Sequence, residues 1–241
     1  KTIMNDGTIT NKKTITNHET ITNNGTIVNV EMITNDGTIT NNGTIMNDGT
    51  IANNVTMMNN ETIMNKGTIF NDGTLTNKGE LYLALEGIIT TGDNGDLTGT
   101  GNFTIALRSE DITIIDEANI IYTGSQIKPE YKIKESRPIE GKDFKIAIDR
   151  YVVSYAENIN PGEGKIIFTD KEDNTIVIEK SFTIHEKDSE SSQDPIAPTK
   201  PTKPTSPNTG DERGASYILW TAVSGALLVM IMNRRKRVIK E

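Results

Sequence analysis

The 241-residue chain has no cysteine, one tryptophan and only 5% aromatic residues. Without thiols there are no disulfides, no thiolate metal ligands and no cysteine nucleophile, so hydrogen-bonded sheet must supply what cross-links would otherwise supply. Histidine is nearly absent too. His18 and His185 stand far apart in the chain, and neither has a recognisable catalytic or metal-ligating companion nearby in sequence. Basic residues are outnumbered, 25 Lys and Arg against 33 Asp and Glu, for a net charge of -8. That balance argues against a nucleic-acid partner, which needs a concentrated basic face. Scarce aromatics beside abundant Asn and Thr count against a conventional globular enzyme and for repetitive β-structure. No catalytic residue, metal site or cofactor is therefore expected.

What the chain does have is a repeat. From Thr2 to Gly79 it divides without insertion into thirteen hexads of the form Thr-Ile-x-Asn-x-Gly, such as Thr38-Ile39-Thr40-Asn41-Asn42-Gly43. The fourth slot is Asn in all thirteen. The second is Ile in eleven, with Met57 and Leu75 in the others. Thr fills the first slot except at Met32, and the sixth is Gly except at Lys13, Glu19, Glu31, Val55 and Glu61. Six is not a helical period, and Thr and Ile are strand formers, so each unit reads as a short strand followed by an Asn-x-Gly corner. A chain of such units should coil into a β-solenoid. Stacked Ile would then form an inward apolar column, and stacked Asn side chains would hydrogen-bond along the axis and satisfy the corners. The period of six does not fix how many units make a coil; if three make one triangular coil, the array gives about four coils at roughly 4.8 Å spacing. The pattern resembles the left-handed hexapeptide β-helix, and its Asn-x-Gly-Thr-Ile runs also resemble right-handed bacterial adhesin solenoids.

Such an array serves either as an extended contact surface or as a spacer. Thr-x-Thr pairs such as Thr8/Thr10, Thr14/Thr16, Thr20/Thr22 and Thr38/Thr40 resemble the ladders of ice-binding solenoids, but Met4, Met46, Met58, Met64 and Phe70 interrupt the third slot. A lyase site needs loops and clustered charges that uninterrupted hexads do not offer. Corners such as Asn35-Asp36-Gly37 bring one carboxylate each, too few oxygens for calcium. Lys1 occupies the slot of a hexad's final Gly, and no export signal precedes the repeats, so the array is expected to have begun upstream.

Beyond Gly79 the hexad fails. Residues 80–107, with Leu81-Tyr82-Leu83-Ala84-Leu85 and Gly95-Asp96-Leu97-Thr98-Gly99-Thr100-Gly101, read as a cap of wider coils covering the apolar column and the strand edge. Residues 108–186 alternate in short strands (Ile112–Ile114, Lys145–Ile148, Lys165–Phe168, Thr175–Ile178), the pattern of a small antiparallel β-sandwich. The strings Tyr122-Thr123-Gly124, Ile127-Lys128-Pro129, Gly141-Lys142-Asp143-Phe144, Pro161-Gly162-Glu163-Gly164 and Phe182-Thr183-Ile184 resemble the bacterial immunoglobulin-like modules of Firmicute surface proteins. That resemblance implies a stalk or presentation unit without an active site. The span from Lys145 to Val153 is longer than the family's usual hairpin. Gly124 and Gly162 suit turns, and Tyr122, Phe144, Tyr155 and Phe182 are expected as core or corner residues rather than ligand-stacking platforms.

Residues 187–205 form a Pro/Thr/Lys-rich linker that cannot bury a core and is expected to be a disordered, extended spacer. Residues 206–241 have a sharper organisation. Residues 215–232 are eighteen apolar or small residues without a charge, long enough as a transmembrane helix to span about 27 Å at 1.5 Å per residue. Arg234, Arg235, Lys236 and Arg237 follow within the tail 233–241, and such a cluster stays cytoplasmic, leaving everything before it outside. Just upstream, Ser206-Pro207-Asn208-Thr209-Gly210 resembles the LPxTG sorting motif, with Ser in place of Leu. The order of motif, apolar span and basic tail is that of a sortase substrate on a Gram-positive surface. The resemblance implies cleavage between Thr209 and Gly210, transfer of Thr209 to a peptidoglycan amine, and only transient membrane residence. Expected partners are therefore sortase, peptidoglycan and a surface glycan or protein. The alternative is the anchor region of a surface glycan-processing enzyme whose catalytic domain lies elsewhere.

Overall fold

The computed structural model describes residues 1–187, all within the compact unit Lys1–Glu190. Every regular element longer than a 3-10 turn is a β-strand. Each hexad forms the predicted strand, its four residues alternating outward and inward from the first slot, as in Thr44–Asn47, and its fifth and sixth residues form the corner. Three hexads make one coil, so each residue pairs with the one eighteen positions on: Ile21 with Ile39, Asn23 with Asn41.

The result is a triangular solenoid with three parallel faces. The first carries the strands Ile3–Asn5, Thr20–Asn23, Thr38–Asn41, Thr56–Asn59, Thr74–Asn77 and Asp96–Thr98. The second carries Thr8–Asn11, Thr26–Asn29, Thr44–Asn47, Thr62–Asn65, Glu80–Leu83 and Asn102–Ile105. The third carries Thr14–Asn17, Met32–Asn35, Thr50–Asn53, Thr68–Asn71 and Ile88–Thr91. Six, six and five strands make close to six turns, more than the hexads alone provide. The extra turns come from residues 80–107. Two corners there are enlarged, so that Thr68 pairs with Ile88 and Thr74 with Asp96, yet the strands keep their columns.

Two kinds of column fill the interior. The second-slot residues from Ile21 to Leu75 are buried, Met57 and Leu75 included, while Ile3, in the first strand, is 38% exposed because no strand covers its outer edge among the described residues. Burying one such side chain contributes about 1.5–3 kcal/mol. The thirteen fourth-slot asparagines are buried as well, a costly placement for an amide unless every polar atom is paired. They are paired. Each of the first ten donates its Nδ2–H to the Oδ1 of the asparagine eighteen residues on, as from Asn35 to Asn53 at 2.7 Å and from Asn53 to Asn71 at 2.7 Å. Each also reaches a backbone carbonyl of the coil above, as from Asn53 to Thr74 at 3.1 Å. At the end of the ladders Asn65, Asn71 and Asn77 donate instead to the carbonyls of Ile88, Asp96 and Asn102.

The remaining strands are mostly antiparallel. Ile112–Ile114 pairs with Tyr131–Ile133, and Tyr151–Ala156, Gly162–Asp170 and Val177–Ile184 form a meander. The hairpin Ser136–Ile139 with Lys142–Ile146 joins the second solenoid face, Lys142–Ile146 running parallel to Asn102–Ile105. Here lies the physical reason for the long span from Lys145 to Val153. It is not a hairpin: the chain leaves the solenoid face through a 3-10 turn at Ile148–Arg150 and enters the meander at Tyr151. Phe144, Phe168 and Phe182 are buried, and Tyr131 meets Phe168 edge-on at 5.5 Å between ring centroids. Tyr155 is half-buried against this core. Tyr122 lies outside that core: it is 36% exposed and follows the isolated bridge from Ile121 to His185 without belonging to a strand. Gly124 and Gly162 take positive φ of 78° and 120°, as their turn roles require.

Candidate contact surfaces of the solenoid

Stacking at intervals of eighteen residues sorts the outward side chains in a way that the linear repeat conceals. Only the first and third slots point outward, and in none of the thirteen hexads does either hold a charge. Every Asp, Glu, Lys and His of the array lies in a fifth or sixth slot, at a corner. Three neutral strips are thus bordered by charged edges.

The strips differ in chemistry. On the first face threonine dominates, with Thr20, Thr38, Thr56 and Thr74 in one rank and Thr22, Thr40, Met58 and Thr76 in the next. Thr76 and Thr98 continue that second rank with hydroxyls 3.1 Å apart. The second face carries an apolar column in register, Val28, Met46, Met64 and Tyr82. Its end is already covered by the chain itself, since Tyr82 and Ala106 pack with Ala147 and the Arg150 guanidinium lies 4.4 Å from the Tyr82 ring centroid. The third face has Ala52 and Phe70 in register, with Met32 and Ile88 in the other rank. Phe70 is 41% exposed and Ile88 52%. An open aromatic ring among threonine hydroxyls offers a stacking platform with hydrogen-bonding edges, suited to a neutral partner of mixed apolar and hydroxyl character. The interruptions of the threonine pattern thus sort by face: Met46 and Met64 on the second, Phe70 on the third, Met4 and Met58 on the first. The signal for this was a period of eighteen, overlaid on the period of six.

Two buried ion pairs hold the region beyond the solenoid. Asp170, fully buried, accepts from Arg150 Nε at 3.1 Å and from the backbone amides of Glu172 and Asp173. Burial weighs most against the Arg150 cation, but the Asp170 hydrogen bond and the neighbouring Tyr82, Asp170 and Glu172 together raise its pKa. Asp111, also buried, faces Arg137 Nε at 3.5 Å and accepts from the Arg108 amide. Burial lowers the Arg137 pKa, opposed by Asp111. Asp170, Asp111 and Arg137 each also bond a backbone group, whereas Asp111 Oδ1 and Arg137 Nε face each other as an ion pair without a hydrogen bond.

His18 sits at an exposed corner, with Nδ1 3.3 Å from Asp36 in the next coil. His185 directly follows the last strand, Val177–Ile184, and pairs through its backbone with Ile120 and Tyr122. The structure does not bring the two histidines into one site. Among the described residues, no three His, Cys, Asp or Glu side chains converge as a metal site, and no helix is long and apolar enough to cross a membrane. Ser206, Pro207, Asn208, Thr209 and Gly210, expected from the sequence to form a sorting motif, lie outside the described residues, as do the apolar span 215–232 and the cluster Arg234, Arg235, Lys236 and Arg237. No protein-family model, curated protein or solved structure matches this chain.

Proposed function

We propose that this chain is a cell-wall-anchored surface protein, in which the solenoid is the contact element, the region 108–186 an immunoglobulin-like presentation module, and the C-terminal segment a sorting signal. The observation that carries the anchoring is the order of Ser206-Pro207-Asn208-Thr209-Gly210, an uncharged apolar span and Arg234-Arg235-Lys236-Arg237. Each part has a physical task. The span and the basic cluster hold the exported chain at the membrane, and the motif waits beside the sortase, whose cysteine attacks the Thr209 carbonyl. Gly210 and everything after it leave, and the Thr209 acyl group passes to a peptidoglycan amine. In this chemistry the chain is the substrate and supplies no catalytic group.

Adhesion rests on a different observation. Confining charge to the corners leaves flat neutral strips, and one of them presents Phe70 among threonines. Such a strip favours a neutral glycan over a polyanion or polycation, because neither gains a counter-charge there.

Anchoring is tested by mass spectrometry of wall fragments from a sortase-bearing Gram-positive host expressing the wild type or Thr209→Ala. Thr209 joined to a cross-bridge amine, with the variant left in the membrane or medium, supports the reading. An intact C-terminus in the membrane for both proteins overturns it. Adhesion is tested on an array of neutral polysaccharides, where binding by the wild type and its loss in Phe70→Ala are expected; equal signals from the two proteins refute a role for the third face.

A further inference from the structure

The corner after the first face carries a second, exposed amide ladder. Asn24 donates to Asp6 at 2.8 Å, Asn42 to Asn24 at 3.0 Å and Asn60 to Asn42 at 2.7 Å. Two of these asparagines are followed by glycine, Asn24-Gly25 and Asn42-Gly43, and the chain has one more such pair, Asn94-Gly95. An Asn-Gly bond is the most open of all to spontaneous succinimide formation, because glycine has no Cβ to obstruct attack by its own amide nitrogen on the asparagine Cγ.

The three pairs are not equivalent in the fold. The Gly25 amide donates to the Asn5 carbonyl at 3.0 Å, and the Gly95 amide to the Gly92 carbonyl at 3.0 Å. Both nitrogens are held by a backbone acceptor, which keeps the proton on and the lone pair turned away from the side chain. The Gly43 amide has no backbone acceptor among the described residues. Its one contact is a long hydrogen bond of 3.4 Å to the Asn41 side-chain oxygen. Meanwhile the Asn60 amide donates to Asn42 Oδ1, the oxygen that becomes negative as the nitrogen adds to Cγ.

From this contrast we propose that Asn42 is a site of spontaneous deamidation in the folded protein. The Gly43 nitrogen loses its proton and bonds to Asn42 Cγ, the Cγ–Nδ2 bond breaks, and ammonia leaves. Water then opens the succinimide at either carbonyl, giving aspartate or isoaspartate at position 42. Either product ends the donation from Asn42 to Asn24. Isoaspartate also adds a methylene to the main chain between two coils whose spacing is set by the bonds from Thr44 N to Gly25 O at 2.9 Å and from Thr62 N to Gly43 O at 3.0 Å. The modification therefore marks the age of the rod and falls in the middle of its hexad array.

The test is quantitative peptide mapping of the full 241-residue chain during incubation in mildly alkaline buffer, scoring the one-dalton mass gain and the isoaspartate at each Asn-Gly pair. A parallel sample is kept in concentrated urea. In the folded chain Asn42 is expected to convert several-fold faster than Asn24 and Asn94, and in urea the three rates should converge. Equal rates in the folded chain, or faster conversion at Asn24 or Asn94, overturn the proposal, as does an unmodified Asn42 under conditions that convert it in urea.

Discussion

The Phe103 ring, at the last solenoid turn, meets the Phe144 ring edge-on, with centroids 5.3 Å apart and planes inclined at 70°. Phe144 lies on the strand that pairs in parallel with Asn102–Ile105, so this contact seals the apolar column where the repeat ends. Removing the Phe144 ring opens a cavity at the joint. Phe144→Ala should therefore lower unfolding stability by about 3–5 kcal/mol, read from urea denaturation. It should also split one unfolding transition into two, because the solenoid and the antiparallel region lose their shared core.

Breaking an asparagine ladder should cost as much as a core cavity. Asn53 accepts from Asn35 and donates to Asn71 and Thr74, and its loss leaves buried partners unpaired at about 1–3 kcal/mol each. Asn53→Ala is expected to destabilise by roughly 3 kcal/mol or more, measured as a shift in thermal midpoint. The exposed ladder supplies the control, since at a solvated corner Asn60→Ala should change stability by less than about 0.5 kcal/mol.

Glycine in the sixth slot answers to the coil beneath it. A Cβ on Gly67 would stand 2.0 Å from the Gly49 carbonyl oxygen, whereas one on Gly7 would meet nothing within 4 Å. Gly67→Ala should cost about 1–3 kcal/mol, while Gly7→Ala should be neutral or stabilising by a few tenths of about 1 kcal/mol. Two of the five non-glycine residues in this slot, Lys13 and Glu19, belong to the first coil and have no coil beneath them among the described residues.

Alkaline pH should unfold the protein through its buried phenols. Burial, followed by the neighbouring Tyr151, pushes the Tyr82 pKa well above the ordinary 10.0, and burial likewise raises that of Tyr151. The folded state therefore keeps its protons while the unfolded chain loses them. Stability from this source is complete below pH 10 and falls as pH rises above it. Thermal midpoints from about pH 8 to about pH 12 should show that decline, and it should be shallower in Tyr82→Phe.

Asp111 and Arg137 should behave as a coupled pair. Leaving either charge buried alone costs about 3–5 kcal/mol, so Asp111→Ala and Arg137→Met should each destabilise strongly. The double variant should lose less than the sum of the two, which a double-mutant cycle in urea detects.

Much of this fold was legible in the chain. The hexads announced short strands, the Ile slot an inward column and the Asn slot a hydrogen-bonded ladder, because a strict period of six leaves each residue type only one orientation. Residues 80–107 were harder. Their strands keep the columns, but two enlarged corners break the linear period, and Leu81, Leu97 and Phe103 take over the Ile slot. The second ladder, along the exposed corner, was hidden because its members look like filler in a variable slot. Whether Tyr122 stands in the core or at a corner was not legible, because an aromatic beside apolar residues suits either, and only the surrounding strands decide.

The sequence by itself determined the solenoid, its polar ladder and the order of Ser206-Pro207-Asn208-Thr209-Gly210, uncharged apolar span and basic tail on which the anchoring proposal rests, since each depends on residue type and spacing along the chain. Tertiary structure alone decided the coil of eighteen residues. From that coil follow the separation of charged corners from neutral faces, the grouping of Val28, Met46, Met64 and Tyr82, and the unequal surroundings of Asn24, Asn42 and Asn94. It also decided that the hairpin at Ser136–Ile146 extends a solenoid face. The reason is physical: neighbours eighteen or forty residues apart are chosen by packing and hydrogen-bond closure, which no local pattern encodes.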